Sequence, residues 1–339
     1  MIRYAPVAPL FADIDDLAAN PYLAALKRLM RRCRELTAAV GRAGPRLLRA
    51  VDRLAVPGHG IARASRGGDG RGATEAARLR LDGPAEVAGH TVAHALAHGQ
   101  LRLLYQPIVR IADRAVVAVE ALVRWQHPIL GLISPARFLT AAHKGGHLPL
   151  LDRWVLHRAC ADLAELGRSI GDAAPDRVNV NLSVPTLATD FTRTVTDALG
   201  DAGLPASRLH LELCEGADLT TLLHAAPRLE KLIRRGIGVA LDDMGAGSTD
   251  LRYLSRLAIQ GIKIDKEFVA GMLHNPRDHA IVKMLTNLAH GLGLHVTAEG
   301  VETPEQLAAL SRVGVSYAQG YHLALPLTLP ALAGALLAA

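Results

Sequence analysis

The chain has 339 residues, half of them hydrophobic and 21% charged, a balance that allows a substantial core and excludes wholesale disorder. Its formal charge of +6 is lopsided: residues 1–81 hold 15 Lys/Arg against 7 Asp/Glu, and the remainder 23 against 25, so any basic-surface chemistry belongs to the first quarter. Cys33, Cys160 and Cys214 are too few and scattered for a disulfide framework or a structural zinc site. The first ten residues lack the apolar segment of a secretory signal, and no uninterrupted apolar run reaches the roughly 20 residues of a membrane span. The expected location is cytoplasmic.

Between residues 20 and 40, Leu23, Leu26, Met30, Cys33, Leu36 and Val40 recur at steps of three and four, which predicts an amphipathic helix with Lys27, Arg28, Arg31, Arg32 and Arg34 on its other face. A second short helical piece follows Gly44-Pro45. Residues 1–56 thus form a basic helical segment, residues 57–81 a Gly/Arg-rich linker, and residues 82–339 a separate domain. The basic helix is expected to meet a partner protein, ahead of nucleic acid or an anionic membrane surface.

Beyond the linker, short aliphatic runs alternate with helical stretches. Strands are expected at 101–108, 116–125, 178–183, 208–213, 238–242, 261–264, 295–299 and 317–321, and helices at 149–166, 185–202, 219–235, 277–292 and 304–313. Eight such strands in a domain of about 250 residues predict a (β/α)8 TIM-like barrel. Strand parity sharpens the expectation, because alternate side chains face opposite sides. Val178, Val180 and Leu182 oppose Asn179, Asn181 and Ser183; Leu209, Leu211 and Leu213 oppose Arg208, His210 and Glu212. Ile262 and Ile264 oppose Gly261, Lys263 and Asp265, while Leu294, Val296 and Ala298 oppose His295, Thr297 and Glu299. One face is apolar and belongs against helices; the other is polar and lines the barrel. The C-terminal strand ends then gather Glu120, Asn181, Glu212, Asp242, Asp243, Lys263, Glu299 and Gln319.

The segments YQPIV (105–109), VEALVRWQHP (119–128), NLS (181–183), LELCE (211–215), DDMGAG (242–247), KID (263–265), AEGVE (298–302) and QGY (319–321) together resemble the EAL-domain family, named for Glu120-Ala121-Leu122. The resemblance runs in order from about residue 101 to 325 and takes in none of the basic segment. It implies an EAL-type β/α barrel that hydrolyses the bacterial second messenger cyclic di-GMP to linear 5′-pGpG with two Mg²⁺ or Mn²⁺ ions. Oxygen-rich ligand sets suit these hard cations better than zinc.

Carried over residue by residue, the resemblance implies that Glu120, Asn181, Glu212 and Asp242 hold one metal, and that Asp243 serves a second, with Asp242 bridging and Glu299 contributing. Two metals about 3.5–4 Å apart activate water and neutralise the attacking and leaving oxygens. Lys263 is expected to orient or deprotonate the attacking water, which makes Lys263, Glu120 and Glu299 the catalytic set. Leu122, Arg124 and Gln319 are expected to touch substrate, Arg124 through a phosphate and Gln319 from the site's edge. Glu215, on the opposite parity, either braces the loop after the paired aspartates or starts the next helix as an exposed charge. The loop itself departs from the family's pattern at Met244 and Ser248, where aromatic residues are usual, and His143 stands where Glu is usual. The alternative reading is therefore a catalytically weak or inactive EAL domain acting as a cyclic di-GMP receptor or protein-interaction module. The family also implies a homodimer through the loop after Asp242-Asp243. His90, His94 and His98 share a helix face without a completing carboxylate or cysteine, and are expected to be a solvated face.

Overall fold

The computed structural model describes residues 92–214, 219–245, 254 and 256–338. The expected basic helix and linker, Glu215, and residues 246–250 of the altered loop lie outside them.

Nine strands make one sheet: β1 (Leu101–Arg110), β2 (Val116–His127), β3 (Gly131–Ile133), β4 (Arg177–Leu182), β5 (Leu209–Cys214), β6 (Gly238–Met244), β7 (Gly261–Ile264), β8 (His295–Ala298) and β9 (Tyr317–Ala318). Their order is β1-β9-β8-β7-β6-β5-β4-β2-β3, and β1 also pairs with β2, so eight strands close into a barrel and β3 is a hairpin extension of β2. The eight strands are those expected from the sequence, within a few residues at each end.

One strand runs the other way. β1 is antiparallel to both neighbours, β2 and β9, whereas β2, β4, β5, β6, β7, β8 and β9 are successively parallel. The reason is local: only residues 111–115 connect β1 to β2, and a parallel crossover needs a dozen or more. Asp113 tightens this turn by accepting from Arg110 Nη1 (2.6 Å) and from the Ala115 amide (3.1 Å), with Arg114 in the left-handed region (φ 63°).

Parity holds through the barrel wall. The outward residues Val178, Val180, Leu182, Leu209, Leu211, Leu213, Ile264 and Val296 have no exposed surface and share one hydrophobic cluster with the helices. The longest of these, α1 (Leu148–Ile170), buries Leu151, Val155, Ala159, Leu163 and Leu166 at three- and four-residue steps, and ends where Gly171 turns to φ 57°. The single helix expected at 185–202 is two: α2 (Val184–Leu187) and α3 (Thr192–Ala202). Asp190 accepts from both the Oγ1 (2.6 Å) and the amide (3.3 Å) of Thr192, an Asx-type turn that starts the second piece afresh.

Two residues assigned to the inward face leave it where their strands end. Ser183 instead binds the buried Asp152 of α1 through its amide (2.9 Å) and hydroxyl (2.6 Å), and Thr186 Oγ1 donates to the same carboxylate oxygen (2.6 Å). Asp265 caps α4 (Lys266–Gly271) by accepting from the Glu267 amide (2.7 Å). Trp125 and His127 pack at the C-terminal end of β2. Trp125 is buried edge-on against Phe138, and His127 Nδ1 accepts from the Ile129 and Leu130 amides, both at 3.2 Å.

Candidate metal centre

Four carboxylates converge on one lysine at the C-terminal end of the barrel. Lys263 Nζ lies 3.0 Å from Glu212, 3.2 Å from Asp242, 3.3 Å from Glu120 and 2.5 Å from Glu299, and the lysine is 2% exposed. Glu120, Glu212 and Asp242 offer oxygens that all lie within 4.8 Å of one another; Asp242, Asp243 and Glu299 do the same. The two clusters share Asp242, the residue expected to bridge.

That two consecutive residues, Asp242 and Asp243, enter the same centre runs against strand alternation. The structure resolves this with a bulge: between Leu241 and Met244, β6 has one more residue than the facing stretch of β7, Ile262 to Ile264. Asp243 takes up the extra residue in the left-handed region (φ 54°), and its amide donates to Asp242 Oδ1 at 3.0 Å. Aspartate tolerates this region better than most residues do, but the conformation is uncommon outside glycine. Past the bulge, Met244 is buried in the core and the Phe268 ring packs on Gly245, where a Cβ would fall 2.5 Å from Phe268 Cε2.

A layer of amides holds the carboxylates. Asn181 Nδ2 donates to Glu120 Oε1 (2.7 Å) and Asn179 Nδ2 to Glu212 Oε1 (2.8 Å). Gln319 Nε2 donates to Glu120 Oε2 (2.7 Å) and to Gln106 Oε1 (3.1 Å). Gln319 is 4% exposed, so it sits beneath Glu120 inside the barrel and not at the site's edge. Asn179 and Gln106 were not among the expected site residues; their inward parity and, for Gln106, its place in the YQPIV segment were the available signals. Leu122 and Arg124 follow Glu120 on the same face of β2, both half-buried. Arg124 Nη1 donates to the carbonyl of Val123 (2.9 Å).

Crowding of like charges shows in the titration behaviour. Burial, with Glu120 and Asp242 adding to it, drives the Glu212 carboxyl well above its usual range against the pull of Lys263. Burial likewise pushes Glu299 up to about 8 and Asp243 up to about 6, in both cases with Asp242 repelling. Burial also works on Glu120, but Lys263 and the bonds from Gln319 and Asn181 outweigh it and hold this carboxyl low. For Lys263, burial favours the neutral amine, yet Asp242, Glu120, Glu212 and Glu299 keep it firmly an ammonium. Cys214 is no reactive thiol: burial and then Asp242 and Asp243 push it up to about 12.

The donor set tests whether divalent ions belong here. Five carboxylates and one ammonium crowd a buried space, and ionising all five without a further cation costs several kcal/mol per uncompensated charge, which the raised Glu212, Glu299 and Asp243 reflect. Two divalent cations would balance it, and ligands that are all oxygen suit hard ions. The residues fit such a centre. Elsewhere, His94 and His98 stack with ring centroids 3.8 Å apart, and neither belongs to a metal-ligating group among the described residues.

The fold and site define a β/α barrel protein, closed by one antiparallel strand and carrying a divided acidic centre at its C-terminal mouth. Residues 90–326 match the model of the EAL domain, and the chain belongs to that family. It is 41% identical over 243 residues to the cyclic di-GMP phosphodiesterase NbdA of Pseudomonas aeruginosa, an alignment covering 70% of this chain but only 30% of NbdA. It is 38% identical to Rv1357c of Mycobacterium tuberculosis, over 68% of this chain and 76% of the relative. Among solved structures, the PaMucR phosphodiesterase in complex with c-di-GMP superposes with a TM-score of 0.67 at 36% identity, covering 71% of this chain and 97% of that one. The FimX EAL domain from Pseudomonas aeruginosa bound to c-di-GMP gives 0.63 at 28% identity, covering 69% and 94%. No described helix is long and apolar enough to cross a membrane.

Proposed function

We propose that the barrel is a metal-dependent phosphodiesterase that hydrolyses cyclic di-GMP to linear 5′-pGpG in the cytoplasm. The observation that carries this reading is the pair of three-carboxylate clusters meeting at Asp242. Glu120, Asn181, Glu212 and Asp242 would hold one ion, and Asp242, Asp243 and Glu299 a second, as Mg²⁺ or Mn²⁺. Bound there, the ions would supply Lewis-acid polarisation of the phosphoryl group and a water of lowered pKa.

The chain's own residues do the rest. Lys263, kept charged by its carboxylates, acts as a donor that orients water and offsets developing negative charge; an ammonium so held is no proton acceptor. Glu120 is fixed from two sides by Asn181 and Gln319, so its oxygens stay aimed at the ion. Arg124 pairs with a substrate phosphate, and Leu122 lies between it and Glu120 to flank the bound nucleotide. Glu215 braces the loop after Asp243. Domain limits at 57–81 and 82–339, a partner-binding role for the basic residues 1–56, and dimerisation through the loop after Asp243 belong to the same reading.

Incubating the full chain with cyclic di-GMP and Mg²⁺, Mn²⁺ or chelator, and following pGpG by chromatography, tests it. Metal-dependent pGpG is the expected result. Folded protein that binds cyclic di-GMP without releasing pGpG in either metal overturns the enzymatic reading in favour of a receptor, with Met244 and Ser248 as the first residues to restore to aromatics.

A further inference from the structure

The opposite, N-terminal mouth of the barrel holds a small cavity of about 30 Å³ whose inner wall is Glu212 and Lys263 and whose outer part carries Arg177, His210, Gln260 and His295. Parity puts Arg177 and His210 on the inward faces of β4 and β5, two residues before Asn179 and Glu212. Gly238 makes room for the imidazole: a Cβ there would fall 2.1 Å from His210 Nε2. The outer part is rich in donors and holds no carboxylate. Arg177 lies over the Tyr317 ring, 5.7 Å from its centroid, and its buried Nε has no hydrogen-bond partner among the described residues. Gln260 spends its Oε1 on the Val239 amide (2.6 Å), which leaves its NH2 to donate.

One acceptor breaks the pattern. Asn179 is 6% exposed, and its Nδ2 donates to Glu212 Oε1 at 2.8 Å. Its Oδ1 is buried and has no partner among the described residues, and Asn179 lines the same cavity. A ligand that satisfies both halves carries negative charge for Arg177 and a hydroxyl for Asn179.

We propose that this cavity is a second site, separate from the metal centre, for a protonated tetrahedral oxyanion of the size of inorganic phosphate, held by Arg177, His210 and His295 with its P–OH donating to Asn179 Oδ1. Glu212, already bonded to Lys263 and Asn179, keeps the anion to the outer part. Sulfate matches phosphate in shape but carries no hydroxyl at neutral pH, so it leaves Asn179 unsatisfied and binds more weakly. The proposal is independent of the phosphodiesterase reading.

The test titrates the full chain, with chelator present to keep metal from capturing phosphate at the other mouth, with inorganic phosphate and separately with sulfate, by calorimetry or phosphorus NMR. Saturable phosphate binding, sulfate weaker by about tenfold, and a loss of about tenfold or more in phosphate affinity in Arg177→Met are expected, the scale of one charge-assisted hydrogen bond. His295→Ala, at an exposed rim position, should lose severalfold and serves as the deciding variant if Arg177→Met does not fold. No saturable binding, sulfate binding as tightly as phosphate, or unchanged phosphate affinity in the deciding variant overturns the proposal.

Discussion

Replacing Lys263 with Met probes the metal centre without needing a substrate. The thioether has nearly the stem and volume of the lysine, so packing changes little and the perturbation is the lost charge. That charge touches Glu212, Asp242, Glu120 and Glu299 at 2.5–3.3 Å. Removing one partner of a buried ion pair costs about 3–5 kcal/mol. The cost should fall at the low end near neutral pH, because Glu299, pushed up to about 8, can keep its proton. For a domain of this size about 3 kcal/mol lowers Tm by roughly 6–12 °C in chelator. Divalent metal should then reverse the deficit: with the ammonium gone, a cation meets less repulsion at the same ligands. The rise in Tm on adding Mg²⁺ or Mn²⁺ should therefore be larger in Lys263→Met than in the parent. Thermal melts of both proteins, in chelator and in each metal, read both effects. A variant that melts with its parent in chelator and gains no more from metal would refute the reasoning that Lys263 is the internal counter-charge of an otherwise cation-dependent centre.

Asp242→Asn should weaken both metal clusters at once, since both include Asp242, whereas Asp243→Asn should spare the Glu120–Glu212–Asp242 cluster; metal titrations by calorimetry would show two sites affected against one. Metal affinity at the second cluster should rise with pH, because Asp243 at about 6 and Glu299 at about 8 must shed protons to ligate. The slope should approach about tenfold per pH unit while one proton competes, and a flat profile between pH 5.5 and 8.5 would contradict the assignment. The same raised values mean that the metal-free fold holds protons the unfolded chain has released, so its stability in chelator should fall as pH climbs from the ordinary carboxylate range through about 8. Gly320→Ala should destabilise by about 1–3 kcal/mol, measured by urea melts, because its Cβ would sit 2.2 Å from the Val301 backbone just past Gln319.

Much of this protein is written in local pattern. Period-two alternation marked the wall strands because one face of each must meet helices, and the apolar residues Val180, Leu211 and Ile264 could satisfy only that face. The polar residues between them, Asn181, Glu212 and Lys263, were thereby sent inward. Alternation fails where the backbone stops being a strand. Ser183 and Asp265 sit one residue past regular pairing, and the nearest unsatisfied groups, Asp152 and a helix N-terminus, capture them instead.

Other features depended on distant parts of the chain. Whether Asp243 joined Asp242 was decided by the bulge against β7, a pairing between segments some twenty residues apart. The direction of β1 followed from a connection short enough to read, yet its place between β2 and β9 required the barrel to close. Gln319 went beneath Glu120 because β9 meets β1 only on closure. The sequence by itself determined which residues face inward, through the local geometry of the strand. Tertiary structure decided which of them touch, because closing a barrel sets distances among residues that no local spacing relates.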